Sequence, residues 1–216
     1  MAVMLSACQT NMARSKKPKA AIFSSQLSDT MENILYKQGN TPALYFERNL
    51  NDYYNFCEAL NSAFKSRTEK MQTVFLCIGT DRMTGDCLGP LVGYKLQKKA
   101  ADTHCVFGTL KHPVHALNLN YALTKIRLRF ANPFIIVIDA ALGLPGHIGN
   151  ITLSSGPLLP GEGMNKNLPS VGDLSITGIV NSCHGNASLL LQNTRLHLVN
   201  EMADFIYAGL MSCFSF

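Results

Sequence analysis

Apolar positions recur every third and fourth residue through 50–69, where Tyr53, Phe56, Cys57, Leu60 and Phe64 fall on one side. That spacing predicts a helix, with Asn51 or Asp52 able to cap it. The period then changes. The unbroken apolar run Val74-Phe75-Leu76-Cys77-Ile78 predicts a buried strand over 73–78, and Pro90 suits the first turn of a helix continuing to Lys99. A short strand is expected at 106–110. A helix is expected over 114–130, with Leu117, Tyr121, Leu123 or Thr124, and Leu128 on one side. Residues 134–139 are apolar until Asp139, as in a strand covered by helices on both faces. A fourth strand is expected at 148–153 and a fifth at 174–180, separated by a loop over 154–172 dense in glycine and proline. A loop of this length in a small domain is commonly a binding loop or lid. The last helix is expected over 187–210, with Leu189, Leu196, Val199, Ala203, Ile206 and Leu210 as its apolar stripe.

Strand alternating with helix implies an α/β fold with a mostly parallel sheet of about five strands. The organisation read from the pattern is a poorly ordered N-terminal tail, residues 1–45, followed by a single domain, 46–216. The 216 residues are 47% hydrophobic and 15% charged, enough for one domain with a substantial core. No apolar stretch reaches the roughly 18 residues that a membrane span needs.

Charge changes this picture little. Of the formal +5, four units come from Arg14, Lys16, Lys17 and Lys19, and the first twenty residues hold no acid. The cluster reads as a solvated tail rather than a nucleic-acid module. Seven cysteines, with no CxxC and no zinc-type Cys/His spacing, point to a reducing, cytoplasmic compartment. Leu5-Ser6-Ala7-Cys8 has the form of a lipoprotein box, but only Met1 to Leu5 precede it, so it is read as a coincidence; Met12 is an alternative start to Met1.

Candidate chemistry lies where apolar strands run out. In open α/β sheets the ligand crevice lies beyond the carboxyl ends of the strands. Asp139 ends one such run, and Asp86 lies in the loop after another, Gly79-Thr80-Asp81-Arg82-Met83-Thr84-Gly85-Asp86. Two carboxylates delivered to one crevice can share a proton, activate water or hold a metal. Gly79, Gly85 and Gly89 make the loop tight, but their spacing is neither a dinucleotide fingerprint nor a phosphate loop. Gly79, Thr80 and Gly85 are candidate substrate-binding residues. As alternatives, Asp86 is a helix N-cap, and Asp81 is a turn residue paired with Arg82. His184, past the fifth strand, is the candidate third ligand if Asp86 and Asp139 hold a metal; the favoured reading has no metal and no cofactor. Cys183 and His184, being adjacent, make a poor nucleophile pair. His112, His115 and His147 carry no partner spacing.

Several ordered motifs resemble the YyaC-type sporulation protein family. They are Gly79-Thr80-Asp81-Arg82-x-Thr84-Gly85-Asp86-x-Leu88-Gly89-Pro90; Gly108-Thr109-Leu110-x-x-Pro113-Val114-His115-Ala116; Asn132 to Ala140; Gly156 to Lys166; Ile176 to Asn181; and Leu191 to Val199. The resemblance covers roughly residues 73–210. That family is similar in turn to the spore germination protease and, more distantly, to hydrogenase maturation endopeptidases. It implies the three-layer αβα, phosphorylase/hydrolase-like fold. The germination protease resembles an atypical aspartic peptidase, with its two acids in a Pro-Asp-Ala-Leu-Gly-Pro segment and at the end of an Ile-Asp-Ala strand. Thr84 to Pro90 and Ile138-Asp139-Ala140 match these, so the resemblance assigns the catalytic roles to Asp86 and Asp139. Gly161, Gly163 and Asn165 match its glycine-rich loop and are implied to bind substrate. The histidine that binds nickel in the maturation peptidases has no clear counterpart, and the N-terminal region does not resemble the germination protease's propeptide. The expected activity is hydrolysis of a spore protein in the forespore or spore core. A possible homo-oligomer is expected, with neither a membrane nor a nucleic-acid partner. The alternatives are a catalytically inactive binding module and a metal-dependent maturation peptidase.

Overall fold

The computed structural model describes residues 43–65, 67–68, 70–99, 105–160 and 168–214, which fall within one compact unit. The expected N-terminal tail lies, but for its last residues, outside them. Their elements are β1 (Leu44–Phe46), α1 (Leu50–Phe64), β2 (Gln72–Cys77), α2 (Leu88–Lys99), β3 (Val106–Phe107), α3 (Leu119–Arg129), β4 (Pro133–Gly143), β5 (Ile151–Ser155), β6 (Leu174–Ser182), α4 (Ala187–Gln192) and α5 (Leu196–Cys213). The six strands form one sheet in the order β1-β5-β6-β4-β2-β3. β3, β2, β4 and β6 run parallel; β5 is antiparallel to β6, and the edge strand β1 is antiparallel to β5.

Helices cover both faces, so the fold is a three-layer αβα. Alternation along each strand sends successive side chains to opposite faces, and β2 divides accordingly. Phe75 and Cys77 pack with Phe56, Leu60, Leu88 and Ile206 from α1, α2 and α5. Val74, Leu76 and Ile78 pack with Leu119, Leu123 and Ile126 of α3.

Several expectations from the sequence are corrected. β1, three residues with too little pattern to stand out, adds a sixth strand against β5. The first helix is capped by Asn49, whose side chain accepts from the Asp52 N–H, and it ends at Phe64 rather than 69. The strand expected at 106–110 stops at Phe107, because Gly108 turns the chain with a φ of 86°. α3 starts at Leu119 instead of 114, and its inward stripe is Leu119, Ala122, Leu123 and Ile126. Leu117, Tyr121 and Leu128 are exposed. The buried set has the i, i+3, i+4, i+7 spacing of a helix face, a better match than the outer set. The last helix is broken at Asn193, which caps α4, so Leu189 and Leu196 are exposed on either side of the break.

The 154–172 loop leaves the sheet where β6 begins. Leu158 and Val171 exchange backbone hydrogen bonds, and Asp173 is bonded to Ile135 near the start of β4. Ile135 precedes Asp139 by four residues, about 13 Å of strand. The described ends of this loop therefore sit at the opposite end of β4 from its carboxyl terminus. Gly161, Gly163 and Asn165 lie outside the described residues.

Candidate functional site

β2 delivers the chain into a closed loop. The Ile78 N–H donates to the Ile138 carbonyl at 2.7 Å, and the Gly79 N–H to the Val114 carbonyl at 2.8 Å. Gly79 then reverses direction with a φ of 138°. The Thr80 N–H returns to the Asp86 carbonyl at 3.0 Å, closing residues 80–86 into a ring. This closure requires a glycine, since a Cβ at position 79 would lie 2.0 Å from the Asp86 carbonyl oxygen. Asp86 sits half-buried in a single 3₁₀ turn, Gly85–Cys87, that runs directly into α2. Gly89 presses α2 onto the strand end; its Cβ would meet the Ile78 carbonyl at 2.1 Å.

Asp139 does not end its strand, as the sequence pattern suggests. β4 continues four residues further, to Gly143, with a register shift against β6 between Ala141 and Leu142. What ends is the neighbour: the β2–β4 ladder stops at Cys77 opposite Ile138. Asp139 is paired with Thr177 of β6 on one side. The 3₁₀ turn carrying Asp86 packs against β4.

Asp139 is buried, 7% exposed as a residue. Burial raises its pKa well above the ordinary aspartate range, the negative charge of Asp86 raises it further, and a hydrogen bond from the Ala140 N–H to Oδ1, at 2.8 Å, opposes both. The two acids are thus electrostatically coupled although 53 positions apart in the chain. A buried acid with a raised pKa, within electrostatic reach of a more exposed one, is the kind of arrangement that can separate acid from base.

Cys87, next to Asp86, is buried, and its thiol is pushed up to about 11 by burial and by the charges of Asp81 and Asp86. It stays protonated near neutral pH and is no nucleophile. Asp81 and Arg82 are exposed, and the Arg82 N–H donates to the Thr80 Oγ1 at 3.3 Å. His184 is exposed, and its backbone N–H donates to Ser182 Oγ at 3.1 Å. Among the described residues no three His, Cys, Asp or Glu side chains are grouped closely enough to hold a metal ion, so His184 does not join Asp86 and Asp139 as the metal alternative requires.

Two residues quoted in the motifs above, but given no role there, brace the site. Asn181 near the end of β6 donates from Nδ2 to the Leu190 carbonyl at 2.9 Å and to Thr194 Oγ1 at 3.1 Å. Thr194 and Leu191 pack on Gly85, where a Cβ would come within 2.9 Å of both side chains. Position 85 is therefore small because the turn is seated on this support. Asn181→Ala removes both bonds and leaves a buried Thr194 hydroxyl with one partner fewer. It is expected to cost about 1–3 kcal/mol, read as a lower denaturation midpoint in urea at unchanged slope.

The profile of the family described as "Protein of unknown function (DUF1256)" matches residues 45–209, more than three-quarters of the chain. The chain belongs to the DUF1256 family. It is also 49% identical over 137 residues to "Uncharacterized protein YyaC" of Bacillus subtilis (strain 168), covering 63% of this chain and 67% of that protein. The family match takes in both aspartates, the 3₁₀ turn and the Asn181 brace. It also begins at Tyr45, inside β1, so the DUF1256 unit starts with the edge strand that the hydropathy pattern missed. Among the described residues of this DUF1256 protein no helix is long and apolar enough to cross a membrane.

Proposed function

We propose that this protein is a sporulation-associated endopeptidase, similar to the germination protease, that hydrolyses a spore protein with Asp86 and Asp139 as its acid–base pair. The observation that carries the reading is the raised pKa of the buried Asp139 carboxyl, with Asp86 among its causes. Asp86, half-exposed, is the base: it takes a proton from water as the water oxygen bonds to the scissile carbonyl carbon. Asp139 holds its proton toward the carbonyl oxygen and stabilises the charge that develops there. The proton on Asp86 then passes to the amide nitrogen, the C–N bond breaks, and the pair returns to its starting state with one shared proton. Gly79 and Gly85 serve by placing Asp86. The substrate is an extended segment of a spore protein, and the setting is the cytoplasm of the developing spore. Both rest on the motif resemblance to spore proteins.

The test is proteolysis of a spore-stage protein extract, with new termini identified by mass spectrometry. The wild-type protein is expected to generate a defined set of cleavages. Asp86→Asn and Asp139→Asn are each expected to reduce their rate by roughly 10²–10⁴-fold, the usual contribution of a positioned acid or base. Wild-type rates in both variants would overturn the assignment.

A further inference from the structure

A concavity lies beside β3, on the α3 side of the sheet edge. It is an open cleft of about 510 Å³, and no residue of the 79–90 loop lines it. Pockets for small molecules commonly fall between roughly 300 and 1,000 Å³. Its walls include Lys111, His112, His115 and Lys125, and among the described residues none of those lining it is acidic. In a domain whose charges nearly balance outside the N-terminal cluster, two lysines and two imidazoles around one cleft concentrate groups suited to an anion.

The donors are arranged by the chain itself. Gly108, with a φ of 86° and no room for a Cβ against the Cys77 carbonyl, sends residues 109–118 out over the cleft. The Thr109 N–H donates to the His112 carbonyl at 3.1 Å, and the His112 N–H to Thr109 Oγ1 at 3.2 Å, so this turn is closed on both sides. His115 Nδ1 accepts from the Leu117 N–H at 3.3 Å. The neutral ring therefore carries its proton on Nε2 and offers a donor. Asn118, the residue before α3, does not cap the helix with its side chain. Its Oδ1 instead accepts from the His115 N–H at 2.8 Å and its Nδ2 donates to the Pro113 carbonyl at 3.0 Å. The positive end of an eleven-residue helix thus opens beside the basic side chains without a side-chain acceptor of its own. Tyr121, 64% exposed on the same wall, has the Lys125 ammonium 4.6 Å from its ring centroid, so an exposed ring and a cation lie side by side there.

We propose that this cleft binds a small phosphomonoester, with the phosphate held by Lys111, His112, His115 and Lys125 and the organic part laid against Tyr121. The site is independent of the peptidase reading, since it shares no residue with the aspartate pair. It is tested on the full chain by isothermal titration with adenosine monophosphate, inorganic phosphate and citrate as probes at low ionic strength. Adenosine monophosphate is expected to bind one site with a Kd on the order of 100 μM. Inorganic phosphate is expected to bind about tenfold more weakly, and raising the salt to 0.2 M to weaken both severalfold. Lys125→Gln and His112→Gln are each expected to weaken adenosine monophosphate about tenfold with the melting temperature unchanged, while Lys98→Gln, outside the cleft, leaves it as in wild type. No saturable binding up to 5 mM (roughly fifty times the expected Kd) would overturn the proposal. So would equal affinity for adenosine monophosphate and inorganic phosphate, tighter binding of citrate than of either, or affinity unchanged in both cleft variants.

Discussion

Asp139→Asn is expected to be more stable than the wild-type protein at neutral pH while losing hydrolysis. The folded chain holds Asp139 in a site that raises its pKa, chiefly by burial and then by the charge of Asp86. In the unfolded chain the same carboxyl titrates near 3.9. Between that value and the raised folded value, the folded state keeps a proton that the unfolded state has released. Stability contributed at this position is therefore greatest below about pH 4 and declines as pH rises through the window up to the folded pKa. Each pH unit of that window costs about 1.4 kcal/mol, or roughly 3–5 °C of melting temperature in a domain of this size. Asparagine removes the titration, and its amide oxygen can keep the bond from the Ala140 N–H. Thermal unfolding from pH 3 to pH 8 is the check. The wild-type curve should lose stability above pH 4 relative to the variant, and the two should converge at the acid end. Stabilisation by disarming a strained functional group is a common trade-off between stability and activity.

Gly79→Ala is expected to be the most damaging conservative change at the site, costing about 3–5 kcal/mol and lowering the melting temperature by roughly 10 °C or more. Two causes act together. A φ of 138° is a conformation that side-chain-bearing residues rarely adopt, and the added Cβ would lie 2.0 Å from a main-chain oxygen, that of Asp86. No rotamer relieves a clash between a Cβ and a backbone atom, so the 80–86 ring must open. Asp86 moves with it, and part of the pressure on Asp139 is lost. Gly146→Ala is the natural control, because nothing lies within 4 Å of its Cβ. It is expected to change stability by less than about 0.5 kcal/mol. Equilibrium urea unfolding of both variants measures the contrast.

The layered αβα architecture was legible because strands buried on both faces leave unbroken apolar runs, as in Val74–Ile78 and Phe134–Ile138. Helix faces were less so. Leu117, Tyr121 and Leu128 look as apolar as the true stripe of α3, which differs from them by its tighter i, i+3, i+4, i+7 spacing and packs on Val74, Leu76 and Ile78. The direction of β5 was hidden for a different reason: hydropathy carries no polarity, and the antiparallel return follows from where the 154–172 loop leaves the sheet. The two aspartates stood out as charges after apolar strands. The reason the charge of Asp86 reaches Asp139 did not, since it depends on β2 stopping at Cys77 and on Gly79 folding the chain back. Asn181 and Thr194 were equally hidden, because a bracing amide has no spacing rule.

The claim on which the account turns is that Asp86 and Asp139 influence each other's protonation across a common space. The most direct measurement follows the side-chain carboxyl carbon of Asp139 by NMR through a pH titration, in the wild-type protein and in Asp86→Asn. The account predicts a midpoint well above that of ordinary aspartates, and a lower midpoint once the Asp86 charge is removed. An Asp139 that titrates with the exposed carboxylates, or whose midpoint does not move in Asp86→Asn, would contradict it.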